Sequence, residues 1–179
     1  MFLGVDELLK RVEEDKLVED LSERELTNPE GAGFDLRLAE VFSISGKGYL
    51  GITERQTSEA KSLMVFNDKK VQRLTIKPGD FYLVKTIEKV NMPDNLLGIF
   101  KPRSTLQRMG CYLRTAQVAP GYSGELTFAL SNVGPVTVDI ELGARIVHIM
   151  FAEVKGTSNL YRGQWQGGRV VTGKKEVQV

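Results

Sequence analysis

The sequence is poor in the residues that most enzymes use for metal or nucleophilic chemistry, with one cysteine and one histidine among 179 residues. With Cys111 alone, no disulfide can form within the chain, and a reducing compartment is expected. A zinc site built from cysteine and histidine needs three or four ligands, so one chain cannot supply it. A hydrolytic triad would have to use His148, the single imidazole.

Long hydrophobic runs are also missing. No stretch of about 18 apolar residues is present, and Asp6 and Glu7 stand where a signal peptide would be apolar. We therefore expect a cytoplasmic protein with no membrane segment. The 24 basic and 23 acidic residues nearly cancel, which argues against general binding of nucleic acid or of a membrane surface. The remaining composition predicts a single globular domain over 1–179.

The start of the chain has the pattern of an amphipathic helix. Apolar residues spaced for one helix face predict a helix over 5–19; they are Val5, Leu8, Leu9, Val12 and Leu17. The stretch 22–33 is polar and contains a proline and two glycines, which predicts a loop.

From residue 33 onward, apolar and polar residues mostly alternate. Short alternating segments such as 34–38, 81–86 and 125–131, separated by glycine, proline and asparagine, predict a mostly-β fold over 33–155. A sandwich, a jelly roll and a barrel all fit this pattern. The segment 46–68 is weakly patterned and is predicted to be a long excursion. The tail, 156–179, is rich in glycine and basic residues and is predicted to be mobile.

One window departs from the overall balance of charge. Between Asp94 and Glu125 the chain has no acidic residue, and its basic residues there are Lys101, Arg103, Arg108 and Arg114. A local basic cluster in a neutral protein favours a small anionic ligand over a polyanion. The alternative is a solvated basic edge with no ligand.

The centre of this window has the features of a phosphate site. Pro102 keeps the residue before it extended, and the following residues can form a helical turn that Gly110 ends. A phosphate at that turn would meet free N–H groups, the Ser104 hydroxyl and the Arg108 guanidinium. Ser104 and Gln107 also fit a capping box, which would only close the helix end. The two interpretations are compatible.

Ordered motifs along the chain carry a resemblance to a known family. The stretch 103–110 reads Arg-Ser-Thr-Leu-Gln-Arg-Met-Gly, and 115–124 contains Thr-Ala and Pro-Gly-Tyr-Ser-Gly. Further matches are Gly-Phe-Asp-Leu-Arg-Leu at 33–38, Ile-Lys-Pro-Gly-Asp-Phe at 76–81, Gly-Ala-Arg-Ile at 143–146 and Tyr-Arg-Gly-Gln-Trp-Gln at 161–166. On these residues the chain resembles the dCTP deaminase and dUTPase family. Its dCTP deaminase branch is the closer match, because of the N-terminal helix and the Arg-Ser-Thr-Leu spelling.

The resemblance implies a homotrimer of distorted jelly-roll, dUTPase-like subunits, with each active site built between neighbouring chains. The implied ligand is a deoxypyrimidine triphosphate (dCTP, dUTP or dTTP), with Mg²⁺ bound through the triphosphate and no zinc. The matching positions are Arg103, Ser104, Thr105 and Arg108 for phosphate, Thr115, Ala116 and Tyr122 for base and sugar, and Tyr161, Gln164 and Trp165 for a lid formed by the tail.

The departures from the family pattern fall on its catalytic residues. The glutamate that activates water for attack on cytosine is replaced by Ala129, and the aspartate of the dUTPase reaction is replaced by Ala119. Alanine cannot accept or donate a proton, so neither reaction has its expected general base. The tail pattern Lys-Tyr-x-x-Gln reads Gln-Trp-Gln-Gly-Gly at 164–168, without the lysine and the closing glutamine.

These replacements leave several interpretations open. The chain is expected either to have weak or lost deaminase and dUTPase activity, or to be an inactive trimeric nucleotide-binding or regulatory homologue. A general base from a neighbouring chain would preserve catalysis, and engineered alanines would also explain the replacements. A scaffold without any ligand is a further alternative. Asp35 and His148 are expected to have structural roles.

Overall fold

The structure is a computed structural model and describes residues 1–178. Strands dominate it, which confirms the mostly-β prediction. The helices are α1 (Val5–Asp15), α2 (Glu23–Thr27) and α3 (Ser104–Arg108), with a 3₁₀ turn at Gln166–Gly168. The strands are β1 (Val18–Glu19), β2 (Phe34–Ser45), β3 (Tyr49–Leu50), β4 (Glu54–Gln56), β5 (Glu59–Val65), β6 (Arg73–Ile76), β7 (Phe81–Asn91), β8 (Leu96–Pro102), β9 (Cys111–Arg114), β10 (Ser123–Asn132), β11 (Val138–Glu141), β12 (Arg145–Glu153) and β13 (Glu176–Val177).

One eight-stranded antiparallel sheet forms most of the molecule and curves into a nearly closed barrel. Its strands follow the order β8-β12-β2-β7-β10-β9, with β1 paired to β7 and β5 paired to β2. Strand β10 shows how the sequence pattern builds the core, since Leu126, Phe128 and Leu130 are buried and alternate with half-buried residues. Phe128 packs edge-to-face on Phe100, with ring centroids 5.0 Å apart.

Helix α1 is shorter than the predicted helix over 5–19. It ends at Asp15 because Lys16 adopts the left-handed conformation (φ 53°), and the Leu17 N–H donates to the Arg11 carbonyl at 3.2 Å. The next two residues become β1 and pair with β7. Leu17, the last apolar residue of the predicted helix, is buried although it lies beyond the end of α1. None of the helices within residues 1–178 is long and apolar enough to cross a membrane.

The segment 46–68, predicted to be an unpatterned excursion, contains three strands. Strand β5 pairs with β2 and so belongs to the main sheet. Strands β3 and β4 form a hairpin, and β13 from the tail adds to β4 as the third strand of a small separate sheet. The end of the tail is therefore joined to this hairpin by backbone hydrogen bonds.

The pairing of β7 with β10 contains a register shift that bends the sheet beside the candidate site. Two buried side chains of β7 accept hydrogen bonds from backbone N–H groups of the two neighbouring strands, β10 and β2. The Thr86 hydroxyl accepts from the Leu126 N–H at 3.0 Å, and the Glu88 carboxylate accepts from the Arg37 N–H at 2.7 Å. Burial raises the pKa of Glu88. Thr86 thus holds the irregular part of β10 that lines the site, and Glu88 holds β2.

Candidate functional site

The basic segment begins where β8 leaves the sheet. The Arg103 N–H donates to the Ile146 carbonyl of β12 at 3.0 Å, and the buried Leu106 anchors α3 on the core. Gly110 follows the helix with φ +86°, and a Cβ there would lie 2.6 Å from the Cα of Gly134. The segment is therefore fixed to the barrel at both ends.

Three predicted phosphate residues on this segment are exposed: Ser104, Thr105 and Arg108. The capping box predicted for Ser104 and Gln107 is wrong, because Arg103 holds the N-cap position and no side chain caps the helix. The Ser104 hydroxyl is thus not used to close the helix end.

The fourth predicted phosphate residue, Arg103, is bound to a buried carboxylate. Oδ2 of Asp35 accepts hydrogen bonds from the guanidinium groups of Arg103 and of Arg145, the latter at 2.9 Å, and Oδ1 lies 2.9 Å from Nδ1 of His148. Burial acts to raise the pKa of Asp35, but the His148 hydrogen bond and the Arg103 and Arg145 charges outweigh it and hold the pKa below its ordinary value. Asp35 thereby ties β2 to β12 and to the start of α3.

A cavity of about 380 Å³, here called the aromatic cavity, lies between β10 and the tail. Its lining is mostly apolar and aromatic and consists of Phe100, Ala116, Gln117, Val118, Ala119, Tyr122, Leu126, Thr127, Phe128, Tyr161, Trp165, Arg169 and Val170. Among these residues none is an aspartate or a glutamate. The cavity is large enough for a small planar ligand, but the described chain brings no carboxylate into its wall.

Tyr122 is the central aromatic residue of this cavity. Its hydroxyl donates to the Glu125 carbonyl at 2.6 Å, and its ring packs edge-to-face on Tyr161 with centroids 5.3 Å apart. Burial raises the pKa of Tyr122 to about 12, so the phenol stays protonated at neutral pH. Tyr122 can therefore offer a ring face or edge to a ligand, whereas its hydroxyl is already used to fix the start of β10.

The two alanines that the resemblance puts at the family's catalytic positions occupy different places. Ala119 lines the aromatic cavity, and Ala129 lies further along β10, paired with Leu83 and Arg114. Between them Thr127 lines the cavity, and its buried hydroxyl has no hydrogen-bond partner among residues 1–178. The cavity thus has a neutral hydroxyl near the place where relatives are expected to carry acids.

Of the predicted base and sugar residues, Ala116 and Tyr122 line the cavity and Thr115 does not. Of the predicted lid residues, Tyr161 and Trp165 line it, whereas the Gln164 amide donates to the Val177 carbonyl at 3.0 Å. The tail is thus part of the cavity wall.

Backbone contacts hold the tail on the barrel. The Tyr161 N–H donates to the Pro120 carbonyl at 2.7 Å, and the Tyr161 hydroxyl accepts from the Trp165 N–H at 3.1 Å. A Cβ on Gly124 would lie 2.5 Å from the backbone nitrogen of Gly168 and 2.7–2.8 Å from Gly167. Only glycine at residue 124 allows the 3₁₀ turn of the tail to approach β10 this closely.

Sequence reasoning missed Arg169, the one cationic side chain in the described lining. Its guanidinium donates to both carboxylate oxygens of Glu176, at 3.1 and 2.5 Å, and to the Thr172 carbonyl.

The family's tail pattern, Lys-Tyr-x-x-Gln, also fits the sequence in a second register, which would have improved the prediction of the lid. Residues 160–164 read Leu-Tyr-Arg-Gly-Gln, which keeps the tyrosine and the glutamine. In this register only the lysine is missing.

A single chain does not bring the predicted phosphate and base residues into one cavity. Ser104 lines a cavity beside His148, and Thr105 lines another beside β11 and β12, but neither lines the aromatic cavity. Within the described residues, no group of three or more histidine, cysteine, aspartate or glutamate side chains could hold a metal ion.

Comparison of the sequence with known proteins gives consistent matches. The profile of the dCTP deaminase-like family matches residues 2–154. A deoxyuridine 5'-triphosphate nucleotidohydrolase of Methanocaldococcus jannaschii is 32% identical over 135 residues, 75% of this chain and 85% of that protein. A dCTP deaminase of Thermococcus kodakarensis is 32% identical over 160 residues, 89% of this chain and 90% of that protein.

Solved structures share the fold at lower sequence identity. The 2'-deoxycytidine 5'-triphosphate deaminase of Agrobacterium tumefaciens matches with a TM-score of 0.64 and 16% identity, over 84% of this chain and 46% of that chain. The present chain thus spans about half the length of that protein. A mutant dUTPase from phage phi11 of S. aureus, whose structure has a structural Mg(II) ion, matches with a TM-score of 0.51 and 16% identity, over 82% of this chain and 95% of that chain.

Proposed function

Because the chain belongs to the dCTP deaminase-like family, we propose that it binds a deoxypyrimidine triphosphate (dCTP, dUTP or dTTP) and that deamination of dCTP and hydrolysis of dUTP to dUMP and pyrophosphate are weak or lost. One observation carries this proposal: the aromatic cavity has the size and lining for a pyrimidine base, but no carboxylate among the described residues of its wall.

The lack of a carboxylate matters because both reactions require an activated water. Attack on C4 of cytosine, or on the α-phosphate, needs a group that takes a proton from that water, and removal of such a general base typically lowers the rate about 10²- to 10⁴-fold. Thr127 and Gln117 line the cavity but do not accept a proton at neutral pH. Tyr122 stays protonated, with its pKa raised to about 12 by burial.

The phosphate chain would be bound by the basic segment. Exposed Ser104, Thr105 and Arg108 offer two hydroxyl groups and a guanidinium, and Arg103 fixes the segment through Asp35. Since these residues lie outside the aromatic cavity of their own chain, a complete site needs the segment of one chain and the cavity of a neighbour. A homotrimer with intersubunit sites meets this requirement.

Magnesium would come with the nucleotide. The described residues offer no cluster of carboxylates for it, and Mg²⁺ readily takes phosphate oxygens and water as ligands. When bound, the ion would neutralise part of the phosphate charge. The single cysteine supports a cytoplasmic location for this function.

The test combines titration calorimetry with product analysis. We expect dCTP, dUTP or dTTP with Mg²⁺ to bind, Arg108→Ala to weaken binding about tenfold or more, and incubation with dCTP or dUTP to give little product. The exposed Lys70→Ala variant is the control for removal of one positive charge. No binding of any of the three nucleotides would refute the proposal, and fast turnover would show that a neighbouring chain supplies the general base.

Replacing the missing acid gives a second test. Ala129→Glu restores the family's carboxylate, and we expect it to raise dCTP deamination at least about 100-fold over the unsubstituted chain. Ala129→Gln is the matched control, since it has the same shape but cannot take a proton. Equal rates in the two variants would show that loss of the general base does not explain the low activity.

A further inference from the structure

A second cavity, of about 330 Å³, lies beside the basic segment and contains the one histidine of the chain. Its lining includes four side chains that can donate hydrogen bonds, namely Lys101, Arg103, Ser104 and His148, together with the carboxylates of Glu30 and Asp35. We call it the histidine cavity. His148 and Lys101 belong to none of the family motifs described above.

Three neighbouring strands place an acid, an imidazole and an amine side by side at this cavity. His148 on β12 is paired with Asp35 on β2 and with Lys101 on β8. Directly paired residues of antiparallel strands project to the same face of the sheet. The row Asp35–His148–Lys101 is therefore built into the register of the barrel, and loop movement cannot separate its members.

Asp35 fixes the orientation of the imidazole. Its Oδ1 lies 2.9 Å from Nδ1 of His148, and its Oδ2 accepts from Arg103 and Arg145, so the carboxylate is held in place from both sides. A carboxylate on Nδ1 keeps a proton on that nitrogen and leaves Nε2 for another partner. The His148 side chain is 21% exposed.

Two glycines of the loop before β2 lie close to Nε2. A Cβ on Gly33 would lie 2.7 Å from Nε2 of His148 and 2.0 Å from the Ile149 carbonyl oxygen, so no larger residue fits there. Gly31, in the left-handed region with φ +74°, also lines the cavity, and its Cβ would lie 4.0 Å from Nε2. The loop thus passes over the ring without placing a side chain against Nε2.

The carboxylates of the cavity do not oppose an anion strongly. Both oxygens of Asp35 are bonded to cationic or N–H groups, and Glu30 is 73% exposed and pairs with Arg24 at 3.3 Å. What remains is the Lys101 amine, the Ser104 hydroxyl and Nε2 of His148. The amine, the hydroxyl and a protonated Nε2 are donors that converge from a rigid sheet and the start of α3, and they suit an anion with several oxygens, such as a phosphate chain.

We propose that His148, held by Asp35 and flanked by Lys101, binds a phosphate oxygen of the nucleotide through Nε2 and so makes phosphate binding dependent on pH. The inference deepens the proposed function and rests on it for the identity of the nucleotide. An imidazole with a proton on both nitrogens is a charged donor at each of them, whereas a neutral imidazole donates from one nitrogen only. The charged groups of this cluster are Asp35 from β2, Lys101 from β8, Arg103 before α3, Arg145 on β12 itself, and Arg24, the buried Glu25 and Glu30 from α2 and its following loop.

The test uses the full chain and sodium tripolyphosphate, which has the phosphates without the base. We expect tripolyphosphate to bind more tightly to the unsubstituted chain at pH 6 than at pH 8. In His148→Asn the affinity at pH 6 should fall about tenfold, and most of the pH dependence should disappear. Asparagine can still donate to Asp35 but places no group where Nε2 lies, so thermal melting should show a folded protein. Lys70→Ala, an exposed lysine outside the cavity, should change neither value.

The outcomes separate this inference from the proposed function. If dCTP or dUTP binds the folded His148→Asn protein with unchanged affinity and pH dependence, the role of His148 is overturned and the proposed function stands. If tripolyphosphate binding depends on His148 but no deoxypyrimidine triphosphate binds more tightly than tripolyphosphate, the anion site stands and the proposed function fails. Absence of binding by all these ligands overturns both.

Discussion

The aromatic cavity and the histidine cavity are built from different parts of the chain. Residues of β10 and of the segment before it line one side of the aromatic cavity. The tail lines another part of it with Tyr161, Trp165 and Arg169. The histidine cavity takes its donors from β8, β12 and the start of α3, which are held together by ion pairs to the buried Asp35.

The two cavities differ in whether the side chains that line them also hold the barrel together. Residues that hold the histidine cavity together also hold the barrel together, so their loss would cost stability. Ala119 lines the aromatic cavity and has no side chain that could form a hydrogen bond to the sheet. Under the proposed function, the carboxylate expected at residue 119 is replaceable, whereas Asp35 and the two arginines bound to it are kept by the requirements of folding.

The largest effect is expected from Asp35→Ala. The substitution leaves the charges of Arg103 and Arg145 and the ring of His148 without their shared partner inside the sheet. Loss of one member of such a buried group should lower the free energy of unfolding by about 3 kcal/mol, measured by urea denaturation. Asp68→Ala, at an exposed position, is the control. A similar small change in both variants would mean that the ion pairs do not hold this region.

The same carboxylate predicts a dependence of stability on pH. Hydrogen bonding by His148 and the neighbouring arginine charges hold the pKa of Asp35 below its ordinary value, although burial acts in the opposite direction. The stabilisation is therefore fully present above about pH 4, the ordinary aspartate value, and is lost as the pH falls through the lowered one. The difference in unfolding free energy between the unsubstituted chain and Asp35→Asn should shrink only below about pH 4. A difference that is already lost at pH 6 would contradict this assignment.

Local patterns allowed much of the barrel to be predicted. Alternation in 125–131 gave the buried face of β10, with Leu126, Phe128 and Leu130 inside, because period-two burial is a local property of strands. The helix end was missed because left-handed residues such as Lys16 carry no strong sequence signal. At the register shift between β7 and β10, the Leu126 N–H donates to the Thr86 hydroxyl, 40 positions away in the chain.

The site was predicted less completely, because its contacts join residues that lie far apart in the sequence. The motif at 103–108 predicted which residues bind phosphate, but it did not predict that the partner of Arg103 is Asp35, 68 positions earlier. Pairing of β12 with both β2 and β8 is what brings His148 to this cluster, and strand order cannot be deduced from alternation. Arg169 was missed because its position depends on how the tail joins the β3–β4 hairpin.

Removing the tail should affect one cavity and spare the other. A chain that ends at Gly156 loses Tyr161 and Trp165 from the wall of the aromatic cavity, and the apolar area they would bury against a base. We expect dCTP or dUTP to bind about tenfold or more weakly, while tripolyphosphate binding, measured by calorimetry, is unchanged. If the binding of both ligands were weakened equally, the tail would also contribute to phosphate binding.

The smallest effect concerns the attachment of the tail to the β3–β4 hairpin. Buried Thr172 accepts from the Thr57 N–H at 3.0 Å, and its own N–H donates to the Thr57 hydroxyl at 2.9 Å. Thr172→Val keeps the shape but removes the acceptor, which should cost about 1 kcal/mol of tail docking. Local release should increase trypsin cleavage after Arg162 and move the emission of Trp165 to the red, without a change in barrel melting. Thr157→Val, at an exposed position in the same tail, is the control and should behave like the unsubstituted chain. If Thr172→Val and Thr157→Val were cleaved at the same rate, the Thr57–Thr172 pair would not hold the tail.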